Sequence, residues 1–393
     1  MLLNVQFWLY FFKIVVSFTI KNNLRIAINT RLLIKNKLEG IGWFAFEVLK
    51  RIVNNHPEHQ FLFFFDRPYA KEFVFSENVL PIVLHPQARH PILFNIWFDY
   101  AVTRALKKYK ADVFFSPDGM LSLRTNVPQI AVIHDLNFEH YPEDLPSHIT
   151  KYYLKRFPLF AKKANKIITV SNFSKKDICK AYAISKDKVN VVYNGASKEY
   201  LPISPENRAI QLCEINNGVP YFIYVGSLHK RKNIERMLQA FKKLKASYSN
   251  PLDFIIVGDY LWEKDKLLKS ISKYVKFVGR KSGGELAKLV GNSQALVYVS
   301  YFEGFGIPVL EGMKSGVPVV ASNVTSIPEV GGDAAIYVDP FSVDSIEKGL
   351  LEALNESNFR IHRENGLAQA DKFNWDISAN KVWDVIELSL ERK

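Results

Sequence analysis

Two glutamates flank a glycine-containing loop between Glu303 and Glu311. The apolar run 295–299 precedes this loop and is typical of a buried parallel strand. Ligands of open α/β sheets bind beyond the carboxyl ends of strands, so Glu303 is expected at a binding edge. Gly304 and Gly306 bare backbone N–H groups at the start of a helix, which suits an anion. Because carboxylates accept hydrogen bonds from hydroxyls, the loop predicts a ligand with polyol, phosphate and polyol parts, which is the layout of a sugar nucleotide.

Proline and glycine set the elements around this loop. Pro308 is tolerated in a first helical turn, where its missing N–H has no partner, and Gly316 can end the helix. We therefore predict a short helix over 308–315 and a further strand over 317–321. Two glutamates at this spacing also fit a solvated surface loop, so the chemistry depends on the rest of the chain.

Length and composition are those of an ordinary globular protein. The 393 residues are 48% hydrophobic and 23% charged, enough chain for two α/β domains. The formal net charge of +13 favours an anionic partner: a phosphorylated substrate, a membrane surface or nucleic acid. The two cysteines, Cys179 and Cys213, make neither a disulfide framework nor a metal site, and a reducing cytoplasm is the simplest compartment.

The first twenty residues, 1–20, are mostly apolar or aromatic. Their length is close to the ~20 residues of a membrane span. The segment has no basic start and no clear small-residue cleavage site, which disfavours a secretory signal. Three interpretations remain open: a membrane anchor, a peripheral hydrophobic tail, or an extension upstream of the true start. We favour the last two together, because residues 24–29 have the pattern of a first α/β strand.

Apolar runs alternate with helical patterns through the first half of the chain, which predicts βαβ units and a mostly parallel sheet. Gly40 and Gly42 precede a helix predicted over 43–52, and such a glycine pair can face a phosphate or form a plain turn. His134 and Asp135 follow one of the predicted strands. The predicted strands are 24–28, 61–65, 82–84, 113–115, 130–133, 166–170 and 189–193.

A cationic turn opens the second half. The predicted strand 221–225 leads into Gly226, then into Arg231 and Lys232, and then into a helix predicted over 234–244. An arginine fork and a lysine point charge can together neutralise a diphosphate. The same residues also fit the solvated start of a helix.

The stretch 303–311, followed by Gly-Val-Pro-Val-Val-Ala-Ser and by Ile327-Pro-Glu-Val-Gly-Gly, resembles the nucleotide-sugar site of the retaining GT-B glycosyltransferases. This is the large family four, which includes bacterial mannosyl- and glucosyltransferases. The resemblance covers roughly residues 24–390. It implies an α/β fold of GT-B architecture, with two Rossmann-like domains facing a central cleft and a C-terminal helix crossing back to the first domain. The implied parts are an apolar segment 1–20, an acceptor domain 21–200, a linker 201–220, a nucleotide-sugar domain 221–372 and a crossover helix 373–393.

The resemblance also implies roles for single residues. His134 contacts the transferred sugar, Glu303 and the following backbone meet the sugar hydroxyls, and Glu311 holds the ribose. Many members carry arginine directly after the glycine that ends the first strand of the nucleotide-sugar domain, where this chain has Ser227. Arg231 and Lys232 are therefore expected to neutralise the donor phosphates. The implied catalytic residues are His134, Glu303, Arg231 and Lys232, and the implied donor-binding residues are Gly40, Gly42, Gly226, Arg231, Lys232, Gly279, Glu303, Gly304, Phe305, Gly306, Ile307 and Glu311.

The implied reaction moves a hexose, mannose favoured, from a GDP- or UDP-hexose to a glycan or lipid-linked saccharide, with retention of configuration. No further cofactor is expected. No Asp-x-Asp occurs in the sequence, so no metal site is predicted and the cations must stabilise the leaving diphosphate. The alternatives are a glycogen-type synthase or phosphorylase on the same scaffold, a non-catalytic sugar-nucleotide-binding subunit, and a membrane scaffold that rests on residues 1–20.

A lysine-rich segment spans residues 151–188. Tyr153, Phe157 and Phe160 interleave with its basic residues, which predicts either a solvated helix face or a basic, aromatic face lying on an anionic membrane. No nucleic-acid-binding module is recognisable, so we expect no nucleic-acid partner. We expect a cytoplasmic protein that is peripheral at the inner face of the cytoplasmic membrane. Asp118 also ends a predicted strand and faces the same cleft, where it is a candidate for contacting the acceptor.

Overall fold

The computed structural model describes residues 23–258 and 273–390. Its first half forms a seven-stranded parallel sheet in the order β3-β2-β1-β4-β5-β6-β7. Most residues of these strands are buried, because helices cover both faces of a parallel sheet. The strands are β1 (Arg25–Asn29), β2 (Gln60–Phe65), β3 (Val79–Val83), β4 (Val113–Ser116), β5 (Gln129–Val132), β6 (Lys166–Thr169) and β7 (Val189–Val191).

Helices connect these strands and place their carboxyl ends along one edge of the sheet. An irregular helical segment, in which α2 passes through a π-helical turn (Trp97–Val102) into α3, buries Trp97, Phe98 and Val102 in a hydrophobic core of the first domain. The helices of this half are α1 (Gly40–Asn55), α2 (Pro91–Ile96), α3 (Thr103–Lys108), α4 (Asn137–His140), α5 (Ser147–Lys163) and α6 (Asn172–Tyr182).

The second half repeats the design with a six-stranded parallel sheet in the order β10-β9-β8-β11-β12-β13. Its strands are β8 (Tyr221–Val225), β9 (Asp253–Val257), β10 (Val275–Phe277), β11 (Ala295–Tyr298), β12 (Val319–Ser322) and β13 (Ile336–Val338). Its helices are α7 (Pro205–Asn216), α8 (Ile234–Ser247), α9 (Gly283–Gly291), α10 (Ile307–Lys314), α11 (Ile327–Gly331), α12 (Val343–Glu352), α13 (Glu356–Ala370) and α14 (Trp375–Leu390).

Helix α14 leaves the second half and packs on α1 of the first, as the predicted crossover requires. The Trp383 ring stacks on the His56 ring with centroids 3.6 Å apart, and Arg51 Nε donates to Asp376 at 2.5 Å. Gly195 fits here because a side chain would collide: an added Cβ would lie 2.7 Å from the backbone nitrogen of Trp375. The two-domain α/β architecture with a returning C-terminal helix is therefore confirmed.

Three details differ from the sequence-based expectation. Strand β3 spans Val79–Val83, whereas residues 82–84 were predicted. The segment 201–220, predicted as a linker with little pattern, carries the twelve-residue helix α7, which begins after the Ser204 cap. Helix α1 begins at Gly40 rather than at residue 43, so both Gly40 and Gly42 lie in its first turn.

The predicted basic, aromatic face of α5 also needs correction. Phe157 and Phe160 are buried and Tyr153 is half-buried, and the Phe157 and Tyr153 rings pack against Phe138 at centroid distances of 4.9 and 5.2 Å. The aromatic rings therefore belong to the core of the first domain. The exposed face of α5 carries leucines and lysines instead: Lys151, Leu154, Lys155, Leu159 and Lys162.

The apolar segment 1–20, predicted as an anchor, a tail or an upstream extension, lies outside the described residues. Within the described ranges, no helix combines the length and the hydropathy needed to cross a membrane.

Candidate functional site

The loop after β11 starts the site, and its geometry follows from glycine. Gly306 adopts φ +98°, a conformation that side chains disfavour, and so turns the chain into α10. The Phe305 ring is buried between Tyr193 and Phe373, which leaves only the backbone of Phe305 available to a ligand. The predicted sequence of strand, glycine loop and short helix is confirmed.

Glu303 lies at the centre of a buried cluster of charges. Arg231 Nη1 donates to its Oε2 at 2.7 Å, and Lys232 Nζ donates to its Oε1 at 2.6 Å. The Tyr298 hydroxyl donates to the same Oε1 at 3.0 Å. The structure thus brings together three of the four residues predicted to be catalytic.

The charges of this cluster set the protonation of its members. Burial works to raise the pKa of Glu303, but the opposing charges of Arg231 and Lys232 prevail and lower it to about 2. Burial lowers the pKa of Lys232 to about 8, assisted by the neighbouring Arg231 charge. The pKa of Arg231 is raised by Glu303 against the effect of burial. At neutral pH the cluster therefore holds two cations and one carboxylate.

The turn after β8 positions the two cations. Gly226 has φ +148° and lies so close to the next turn that a Cβ on Gly258 would be 2.1 Å from the Gly226 carbonyl oxygen. A short 3-10 turn over Lys230–Lys232 follows and ends at Asn233 in the left-handed conformation. The Asn233 side chain donates to the carbonyls of Val299 and Pro340 at 3.0 and 2.7 Å, which fixes the turn against β11.

His134 faces this loop from the first domain. Its Nε2–H donates to the Pro117 carbonyl at 2.8 Å, so the neutral ring keeps Nδ1 as its acceptor. Burial lowers the pKa of His134, which keeps the ring neutral at pH 7. A Cβ on Gly304 would lie 2.3 Å from the His134 carbonyl oxygen, so the backbones of the two domains touch here. Asp135 is close enough to raise the pKa of Arg231 and uses its own side chain to accept from Asn137 N at 3.0 Å.

Glu311 lies on α10, one helical turn after the helix begins. Burial raises the pKa of Glu311 to about 7, although the buried Tyr200 hydroxyl acts to lower it. A carboxyl group held near neutrality can switch between accepting and donating hydrogen bonds, which suits contact with hydroxyl groups.

The remaining predicted glycines lie at the edges of the cleft. Gly279 follows β10 with φ +67°, and Gly40 and Gly42 open α1 in the first domain. Glu39, next to Gly40, pairs with Arg280 of the second domain at 3.0 Å, so an ion pair spans the cleft beside the predicted phosphate site.

Sequence reasoning missed several partners of these residues. Asp118 is held by the buried Arg31, whose Nε donates to it at 2.6 Å, and by Ser116 and Met120 N, which donate at 3.1 Å each. The Asp118 carboxylate is therefore already paired and hydrogen-bonded within the first domain. Glu329, from the Ile327-Pro-Glu motif, bonds across to the first domain. Arg31 is 87 residues from Asp118, and Glu329 is 157 residues from Asn172, so sequence spacing gave no signal for either contact.

Within the described residues, one group has the composition of a metal site. His56, Glu58 and His59 bring their ligand atoms within 4.8 Å of one another, next to Trp383 on α14. The group lies beneath the crossover helix rather than at Glu303, and His59 Nδ1 already accepts a hydrogen bond from Leu24 N at 3.4 Å.

Comparison with known proteins agrees with this geometry. Residues 206–370 match the family described as Glycosyl transferases group 1, and residues 38–200 match Glycosyltransferase Family 4. The O-antigen chain mannosyltransferase B of Escherichia coli is 30% identical over 360 residues, which cover 87% of this chain and 94% of that relative.

Solved structures share the fold at lower identity. WaaG, described as a glycosyltransferase involved in lipopolysaccharide biosynthesis, superposes with a TM-score of 0.75 at 18% identity, over 92% of this chain and 99% of that one. Alr3699/HepE of Anabaena, solved in complex with UDP-glucose, gives a TM-score of 0.71 at 16% identity, over 93% and 100% of the two chains. Two facing parallel sheets, a charge cluster at the cleft and a relative of nearly equal length all lead to one assignment: the chain belongs to the GT-B glycosyltransferases of the group 1 and family 4 type.

Proposed function

We propose that this enzyme transfers a hexose, with mannose favoured, from a GDP- or UDP-hexose to a saccharide of a glycan or lipid-linked acceptor. This proposal rests chiefly on the cluster of Arg231, Lys232 and Glu303 at the carboxyl ends of the strands of the second sheet. The choice of mannose is supported by the relative from Escherichia coli, whose name assigns it to mannosyl transfer in O-antigen chains. A surface polysaccharide is accordingly the favoured product.

The cluster suits a donor that carries a diphosphate. Arg231 and Lys232 both donate to Glu303, and a diphosphate offers these cations several further charged oxygens as acceptors. Donor binding then transfers the two cations to the phosphates and frees the Glu303 carboxylate for the sugar hydroxyls. Glu311 takes the ribose, and the backbone of 304–307 adds N–H groups at the start of α10.

The same arrangement supports a reaction without a metal ion. The fixed cations and N–H groups stabilise the negative charge that develops on the leaving diphosphate, which is the largest catalytic contribution in many enzymes. The acceptor hydroxyl attacks from the face that the diphosphate leaves, so the configuration is retained, and the diphosphate takes the proton. Neutral His134 contacts the transferred sugar from the opposite domain.

A membrane-bound acceptor suits the surface of the first domain. The exposed face of α5 combines Leu154 and Leu159 with three lysines, and each Lys or Arg close to an anionic surface contributes on the order of 1 kcal/mol. We propose that this face brings the enzyme to the inner leaflet of the cytoplasmic membrane, where it would meet a lipid-linked saccharide.

Binding and product analysis test the proposal together. Full-length protein is titrated calorimetrically with GDP, UDP and ADP in EDTA, and the nucleotide that binds is then supplied as its mannose and glucose conjugates with a saccharide acceptor. We expect one nucleotide to bind, transfer to proceed in EDTA, and NMR of the product to show the anomeric configuration of the donor. Binding of none of them would overturn the donor site, and an inverted product or a strict need for Mg²⁺ would overturn the mechanism.

A further inference from the structure

Glu329 belongs to the second domain but accepts its hydrogen bonds from the first. Its Oε1 accepts from Asn172 N at 2.8 Å, from Asn172 Nδ2 at 2.7 Å and from the Tyr193 hydroxyl at 2.8 Å, and its Oε2 accepts from Phe173 N at 3.2 Å. Asn172 and Phe173 are the first residues of α6. The carboxylate therefore lies at the positive end of a helix in the opposite domain, where its charge is stabilised.

This cap is not needed to form the helix. Ser171 already caps α6 within its own domain, because its Oγ accepts from Ser174 N at 3.0 Å. The bonds from Glu329 supplement that local cap only when the two domains meet. Their contribution is thus to the arrangement of the domains and not to the fold of either one.

The segment that carries Glu329 also holds the backbone of Glu303. Ser326 Oγ donates to the Glu303 carbonyl at 2.9 Å, and Glu303 N donates to Thr325 Oγ1 at 3.3 Å. From the other side, Ser174 Oγ in the first turn of α6 donates to the Gly304 carbonyl at 3.5 Å. The first turn of α6 therefore contacts both Glu329 and the loop that follows Glu303.

We propose that Glu329 is a positioning residue that holds the two domains in the arrangement required for transfer by capping α6 across the cleft. This inference rests on the proposed function. Entry of a donor and release of the nucleotide require the cleft to open, and opening must break the four hydrogen bonds of Glu329. Reforming them returns the Glu303 loop to His134, so closure and the geometry of the site are coupled.

The test uses Glu329→Gln in the full-length enzyme, because the amide keeps the size of the side chain. Its NH₂ group must face donors, so at least one bond to α6 is lost. We expect kcat to fall about tenfold, as loss of a charge-assisted hydrogen bond predicts. The affinity for the nucleoside diphosphate, measured by calorimetry, should stay unchanged, since the second domain still forms its own site. Hydrogen exchange at the first turn of α6 should become faster.

A matched control and a second variant complete the design. Asp344→Asn removes another acid from the first turn of a helix, α12, where it pairs with Lys243 on the surface of the second domain, and it should change neither kcat nor exchange at α6. Tyr193→Phe removes one donor to Glu329 and keeps the ring. If both residues act through the same contact, the effects of Glu329→Gln and Tyr193→Phe on kcat will be less than additive.

The outcomes separate this inference from the proposed function. An active wild type with an unchanged kcat in Glu329→Gln would overturn the positioning role alone. A parallel loss of kcat, nucleotide affinity and melting temperature would show a structural defect and would also overturn it. A wild type that neither binds a nucleoside diphosphate nor transfers sugar would overturn the proposed function, and the positioning role with it.

Discussion

Lys232 and Tyr298 meet at Glu303: the lysine Nζ lies 2.5 Å from the tyrosine hydroxyl, and both groups contact the same carboxylate oxygen. Tyr298 ends β11 and Lys232 ends the turn after β8, so this contact ties two neighbouring strands of the second sheet at their carboxyl ends. The Lys232 ammonium also faces the Tyr298 ring at 5.0 Å from its centroid. The position of the cation is thus fixed by the fold before any substrate contributes.

Replacing Glu303 by glutamine should affect both stability and activity. Loss of one partner leaves the buried charges of Arg231 and Lys232 uncompensated, so we expect the free energy of unfolding to fall by about 3 kcal/mol at pH 7. We expect kcat to fall about 100-fold, since the proposed contact of the Glu303 carboxylate with the donor sugar is lost. Urea unfolding and initial-rate kinetics measure the two effects. An active, equally stable variant would contradict the role of Glu303.

The ion pairs of Glu303 with Arg231 and Lys232 should stabilise the protein only over a defined pH range. The pKa of Glu303 is lowered to about 2 in the folded protein, so the stability that its ionisation contributes is present above its ordinary value near 4.5 and is lost as the pH falls from there to about 2. The difference in unfolding free energy between wild type and Glu303→Gln should therefore shrink between pH 4.5 and pH 2. A constant difference would show that the carboxylate is not paired.

The ionisation of Glu311 should make stability depend on pH in the opposite direction. Its pKa is raised to about 7 by burial, so the contribution of the neutral carboxyl group to stability is fully present below about pH 4.5 and is lost as the pH rises through 7. At pH 8 the buried charge costs at most about 3 kcal/mol. Glu311→Gln should remove this dependence in thermal unfolding followed from pH 4.5 to 8. If Glu311 holds the ribose as proposed, the nucleotide affinity of the wild type should rise over the same range, because a carboxylate accepts hydrogen bonds from hydroxyls more strongly than the acid does.

Gly304→Ala should push the two domains apart where Gly304 faces the His134 backbone. The new Cβ would lie 2.3 Å from the His134 carbonyl oxygen and 3.0 Å from Asp135 Cβ, and backbone atoms cannot move aside cheaply. We expect a loss of about 1–3 kcal/mol in unfolding free energy and at least a tenfold fall in kcat. Gly284→Ala is the matched control, since no atom lies within 4 Å of its Cβ and it sits in α9. Equal behaviour of the two variants would contradict the contact.

His134 should remain neutral throughout the working pH range. Burial lowers its pKa below the ordinary value of 6.5, and its Nε2–H is donated to the Pro117 carbonyl. We therefore expect its ring nitrogens in NMR spectra to titrate with a midpoint below pH 6.5, with the proton of the neutral ring on Nε2. A midpoint at or above pH 6.5, or a proton on Nδ1, would contradict the assignment.

Much of this fold follows from local sequence. Most strands of the first sheet coincide with an apolar run, because a parallel strand covered on both faces is apolar along most of its length. The edge strand β3 (Val79–Val83) is only partly buried, and the prediction of 82–84 missed its start. Helix α7 was missed for the complementary reason. It lies largely on the surface, with Ile210 62% exposed, so it has no continuous apolar face to detect. Its one local signal was the cap: Ser204 accepts from Asn207 N, and Pro205 opens the helix.

The sequence indicated only those site residues that lie close to one another along the chain. Glu303, Gly304 and Gly306 share one loop, so their spacing shows in the sequence. Glu329 was part of a recognisable motif, but its partner Asn172 is 157 residues away. Contacts between domains have no local spacing, and Arg31 with Asp118 was hidden in the same way.

The returning helix α14 has a consequence for biosynthesis. Trp375 fills the space against Gly195, and Trp383 covers His56, so the first domain lacks part of its surface until residues 375–390 have been made. That domain leaves the ribosome before the second one does, yet its surface cannot be completed until residues 375–390 have followed. Its α1 face must therefore wait, uncovered, while the second domain is translated, and a protein shortened at its C-terminus would fail first at its N-terminal half.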